Sequence, residues 1–136
     1  MRLIEKVIKV SSRTDVFTIY PIGDVHIGAR GCAEQKFRQL VYEIKNQPNS
    51  YWFGGGDLLD AIKPQDIKRF DFDVLPDWML DEDAETTREK LSDVLMQQRC
   101  RFLSIIKPIK DKCLGLIEGN HCFLLKNIIM RIYNKG

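Results

Sequence analysis

Phe17-Thr18-Ile19-Tyr20-Pro21-Ile22-Gly23-Asp24-Val25-His26-Ile27-Gly28 is the stretch on which the fold turns. A short β-rich run delivers an aspartate and a histidine, one residue apart, into a turn flanked by glycines. If strand geometry persists through Val25, the two side chains lie on one side, because side chains alternate with a period of two. A carboxylate and an imidazole converging at a strand end suit a divalent metal.

Upstream, residues 3–10 alternate loosely, with Ile4, Val7, Ile8 and Val10 apolar, and Ser11 to Asp15 read as a turn. Two neighbouring strands joined as a hairpin are expected here. Downstream of Gly31, Ala33, Phe37, Leu40, Val41 and Ile44 recur at helical spacing, and Pro48 closes that helix. Ser50-Tyr51-Trp52-Phe53 then reads as a short buried strand running into Gly54-Gly55-Gly56-Asp57-Leu58-Leu59-Asp60. Strand, helix, strand in this order predicts a parallel unit with a right-handed crossover. An acidic residue thus stands just past the carboxyl end of each strand, the edge at which open parallel sheets bind ligands.

Residues 61–83 carry Pro64, Pro76 and the aspartates Asp66, Asp71, Asp73, Asp77 and Asp81, and predict an irregular lid or insertion packed down by Phe70, Phe72, Leu75, Trp78 and Met79. A longer helix is expected over 84–106, with Leu91, Val94, Leu95, Phe102 and Ile105 on one face, ended by Pro108. Residues 112–118 predict a third parallel strand, followed by Gly119-Asn120-His121 and a last amphipathic helix through Leu125, Ile128, Ile129 and Ile132.

The 136 residues suffice for one ordinary domain, and 44% apolar with 29% charged residues is the balance of a soluble globular chain. A formal charge of +2 is too small to imply nucleic acid by itself. The basic residues Arg99, Arg101, Lys107, Lys110 and Lys112 fit a solvated helix end, with nucleic-acid binding as the alternative. Cys32, Cys100, Cys113 and Cys122 form no C-x-x-C pair and no secretory leader precedes them, so reduced thiols in a cytoplasmic protein are expected. No apolar run approaches the ~18 residues of a membrane span, so no membrane partner is expected.

Three strand ends therefore present Asp24 with His26, then Asp57, then Asn120 with His121. Oxygen and nitrogen donors of this kind suit manganese, iron or zinc better than a thiophilic ion. Each group alone also fits an ordinary role: Asp24 and Asp57 as turn or capping residues, the histidines as satisfied loop residues, Asn120 as a helix cap. Their order, each at the end of a predicted strand, is what carries the signal.

In that order the chain resembles the calcineurin-like metallophosphoesterases, whose pattern opens with D-x-H, continues with G-D and G-N-H, and finishes with a lone H and G-H-x-H. The first three blocks stand here as Asp24-Val25-His26, Gly56-Asp57 and Gly119-Asn120-His121. The resemblance spans almost the whole chain and the front part of the family's domain. It implies an α/β fold, a largely parallel sheet with flanking helices forming the front half of a layered α-β-β-α sandwich. It also implies hydrolysis of a phosphomonoester or phosphodiester by metal-activated water.

By position, Asp24 and His26 would hold a first metal, Asp57 would bridge two, and Asn120 would bind the second. His121 would sit by the leaving-group oxygen as general acid or transition-state stabiliser, oriented by Asp60. The cofactor implied is a pair of divalent ions, manganese first, with iron, zinc or nickel as alternatives. The chain departs from the family in two respects. It contains only His26 and His121, so the rear histidines are absent, and Cys122 replaces the usual acidic residue after G-N-H. The expectation is accordingly a truncated domain with an incomplete site, completed by a second copy or a complementing chain, or else a non-catalytic scaffold of the same fold.

Overall fold

The computed structural model describes residues 5–62, 73, 75–80 and 93–117. Among the described residues the chain forms a small open sheet of three parallel strands with two α-helices, a mixed α/β fold. The strands β1 (Thr18–Ile22), β2 (Ser50–Gly54) and β3 (Cys113–Leu116) lie in the order β1-β2-β3. Between β1 and β2 runs helix α1 (Glu34–Asn46), and before β3 runs helix α2 (Val94–Ile106), which continues as a 3-10 turn over Lys107–Lys112.

β1 and β2 pair in parallel from Thr18 opposite Ser50 to Ile22 opposite Gly54. Ile22 and Trp52 point to the side on which both helices pack, and Trp52 is fully buried with its indole nitrogen donating to Ile109 O at 2.8 Å. Helix α1 contributes Phe37, Val41 and Ile44, spaced four and three residues apart as a buried stripe requires. Phe37 stacks on Phe102 of α2, with ring centroids 6.0 Å apart and planes 4° from parallel. Ile22, Trp52, Ile105, Ile106 and Cys113 complete the same core.

Where α1 ends, its last carbonyls would face β2 unsatisfied. Lys112 resolves this, its ammonium donating to Ile44 O at 2.6 Å, Gln47 O at 2.8 Å, Ser50 Oγ at 2.8 Å and Lys45 O at 3.3 Å. A cation at a helix carboxyl end also opposes the negative end of the macrodipole. Lys112→Met, which keeps the stem and removes the charge, is expected to cost about 2 kcal/mol, the size of hydrogen bonds to a charged group. A shift of the urea midpoint at constant slope measures it, and a loss below about 0.5 kcal/mol would show that water replaces the ammonium.

Three expectations are corrected. Residues 5–17 carry no strand, so the hairpin does not form. Val7 and Val10 are exposed there, so these apolar residues find no partner face that would hold them as a strand. The turn itself is present, with the Asp15 carboxylate accepting from Ser11 N, Ser12 N and Ser11 Oγ, each at 2.9 Å. The helix expected over 84–106 is not continuous: Asp93, at φ −137° and ψ 62°, is its N-cap and accepts from Met96 N. Finally, the stretch expected to lack regular structure contains a 3-10 turn, Asp77–Met79, whose Met79 packs with Leu75 and Val94. The remainder of the expected lid lies outside the described residues, as do the last helix and Asn120, His121 and Cys122. No helix among the described residues is long and apolar enough to cross a membrane.

Candidate metal centre

At the carboxyl edge of the sheet, the segments after β1 and β2 run side by side and are tied backbone to backbone. Gly55 N donates to Ile22 O at 2.6 Å, Asp24 N to Gly56 O at 3.2 Å, His26 N to Asp57 O at 3.1 Å and Ile27 N to Leu58 O at 3.0 Å. Asp60 N returns the contact to Ile27 O at 3.0 Å, across an isolated parallel bridge between Ile27 and Leu59. Ile27, Leu58 and Leu59 are buried, so the paired loops are pinned to the core from beneath.

This pairing brings Asp24, His26 and Asp57 together: one donor atom of each lies within 4.8 Å of the other two. The juxtaposition does not arise as the strand pattern suggested. β1 ends at Ile22, and Asp24 and His26 both adopt the left-handed region at φ 50°, as Asp57 does at φ 45°. Left-handed turns, not strand alternation, aim the side chains. Non-glycine residues enter that region at a cost of about 1 to 2 kcal/mol each, somewhat less for Asp, whose short polar side chain bonds locally. Five described non-glycine residues have positive φ, and three of them are the three that converge. Strain concentrated in this way is characteristic of sites that the surrounding structure over-determines.

Asp60, largely buried, lies with Oδ1 3.4 Å from His26 Nδ1. The resemblance has it orient His121, which lies outside the described residues; among the described residues its neighbour is His26. Of the six residues singled out in the sequence, the structure thus gathers Asp24, His26, Asp57 and Asp60, and Asn120 and His121 fall outside what is described.

One group was missed. Gln98, on the buried face of α2 and 1% exposed, accepts through its side-chain Oε1 from Ala61 N at 2.9 Å, holding the end of the Asp57 to Ala61 loop. Its signal was available as a polar residue four positions from both Val94 and Phe102, in the middle of an apolar stripe.

Beside the loop, Glu34 opens α1 and is held by two guanidiniums: Arg38 donates from Nε at 2.8 Å to Oε1, and Arg101 of α2 from Nε at 2.8 Å to Oε2. Burial pushes the Glu34 carboxyl up, but the hydrogen bonds and charges of Arg101 and Arg38 outweigh it and hold it below its ordinary value. The basic cluster of the sequence is therefore divided, with Arg101 spent on Glu34 and Lys112 on the end of α1.

As a donor set, two carboxylates and an imidazole suit a borderline divalent cation such as manganese, zinc or iron. Bonds of about 2.1 Å in tetrahedral geometry place three ligand atoms about 3.4 Å apart, so donor atoms within 4.8 Å of one another close onto an ion with movements of up to roughly 0.8 Å each. No family model matches the chain, and no curated protein or solved structure matches it either.

Proposed function

We propose that this chain is a metal-dependent phosphoesterase domain, the front half of a calcineurin-like sandwich, with Asp24, His26 and Asp57 as its metal ligands. The observation that carries the proposal is the convergence of these three donors, each in a strained left-handed turn, at the carboxyl edge of a parallel sheet. A divalent cation there supplies Lewis-acid polarisation of a phosphoryl oxygen and acidifies water for in-line attack.

The chain's own residues prepare that chemistry. Asp57 would supply, with Asp24, the carboxylate charge that offsets a cation. Asp60, 3.4 Å from His26 Nδ1, would orient the imidazole as a carboxylate does for a metal-bound histidine. Gly56, at φ 100°, lets the backbone turn directly before Asp57. Three protein donors are fewer than the four to six that a divalent cation takes, so Asn120, water, the substrate phosphate or a second chain completes the shell.

The test is metal content with turnover. Protein purified with manganese is expected to retain about one ion per chain by elemental analysis, and to hydrolyse p-nitrophenyl phosphate or its bis ester. Chelation should abolish turnover and added manganese should restore it. Protein that retains no metal and binds none on titration would refute the proposal. Metal without turnover would assign the chain as a half-site requiring its complement.

A further inference from the structure

Directly beyond His26 the chain passes through Gly28-Ala29-Arg30 along the wall of a cavity of about 540 Å³, closed on its other sides by the start of α1, by α2 and by the 3-10 turn at Trp78. Three guanidiniums, those of Arg30, Arg38 and Arg101, line it against two carboxylates, Glu34 and Asp77. Among the described lining residues one positive charge is left over. The cavity wall is also continuous with the metal centre: Ala29 N donates to His26 O at 3.0 Å, and the Cys32 thiol in the wall donates to Val25 O at 3.1 Å.

The arginines are oriented rather than merely near. Glu34 takes Nε of Arg101 and both Nε and a terminal nitrogen of Arg38, and the Arg101 guanidinium lies 4.5 Å from the Trp78 ring centroid, stacked over its face. Held at its Nε and over its plane, Arg101 has terminal N–H groups with no partner among the described residues, a fork of the kind that matches phosphate oxygens. Among the described residues Arg30 reaches a backbone carbonyl, Asp73 O at 3.4 Å, a long contact that a phosphate would displace at little cost. Burial, with the charges of Glu34 and Asp60, pushes the Cys32 thiol up, so it adds no negative charge to the wall.

We infer that this cavity is a phosphate-binding site that takes a second phosphate of the substrate, which makes the preferred substrate class one bearing two or more linked phosphate groups. The assignment of that phosphate to a substrate rests on the phosphoesterase proposal; the phosphate site itself does not. A polynucleotide backbone and a small polyphosphorylated molecule share this chemistry. Trp78 is the reporter, since its face is covered by the arginine that would bind, while Trp52 is fully buried in the core.

Titration of the protein in chelator with inorganic pyrophosphate, and separately with the oligonucleotide (dT)4, should give a saturable change in tryptophan emission. The change should vanish in Trp78→Phe and weaken about tenfold in Arg101→Gln and in Arg30→Gln, as loss of a charge-assisted pair predicts. Arg30 is exposed, so its variant reads binding without risk to the core. Tighter binding of (dT)4 would assign the polynucleotide, and tighter binding of pyrophosphate the small molecule. Failure of both ligands to change the emission, or affinity in both arginine variants equal to that of the parent, would overturn the site. Emission changes that persist in a protein unable to bind manganese would refute the metal centre and leave the phosphate site standing.

Discussion

Asp57→Asn is expected to reduce manganese affinity by at least about 100-fold, because loss of a partner outside the ligand shell already costs 10 to 100-fold. The substitution is clean. Asparagine is nearly the same size, and it enters the left-handed region that Asp57 occupies as readily as aspartate does. The backbone bonds through the loop, including His26 N to Asp57 O, use no side-chain atom and should persist.

Electrostatics make the expected result distinctive. Asp24 and Asp57 place carboxylate oxygens within 4.8 Å of each other, and like charges so close destabilise the metal-free protein. The metal-free variant should therefore melt at the same temperature as the parent or higher. With manganese at a hundred times its dissociation constant the parent gains about 2.7 kcal/mol by mass action, and the variant should gain almost none. Thermal melts with and without manganese measure both quantities together. An equal manganese shift in the two proteins would show that Asp57 is not a ligand. A lower melting temperature without metal would show that its role is structural.

The elements were legible because they obey short periods. The helical spacing of Phe37, Val41 and Ile44, and the run Ser50 to Phe53 before a glycine triplet, led directly to α1, β2 and the parallel crossover. The acidic residues just beyond those strands marked the edge at which Asp24, His26 and Asp57 converge. What could not be read is how the side chains are aimed there. No local pattern states that Asp24, His26 and Asp57 turn left-handed; that follows from the bonds each loop makes to the other, thirty residues away. The same holds for the arginines around Glu34, where Arg38 is one helical turn off but Arg101 arrives from α2. The hairpin failed for the opposite reason: a few apolar residues before a turn suggested a strand, and no neighbouring strand offered them a face.

Gly28→Val is expected to lower stability by about 3 to 4 kcal/mol, and manganese affinity by about tenfold, although Gly28 belongs to neither ligand set. Gly28 sits at φ 104°, where a β-branched residue is strained whatever the space, and there is no space. A Cβ built on it would lie 2.2 Å from Gln98 Nε2 and 2.4 Å from Gln98 Cγ. Gln98 is buried and holds Ala61 N, so its displacement leaves a backbone donor unpaired and loosens the segment that carries Asp57 and Asp60. The steric and the hydrogen-bond effects separate in a double-mutant cycle. Gln98→Ala alone loses the bond to Ala61 but opens room beside Gly28, so the two changes together should cost at least about 1 kcal/mol less than their sum. Additive costs would mean that strain at φ 104° acts alone, and that Gln98 does not transmit the position of α2 to the metal-binding loop.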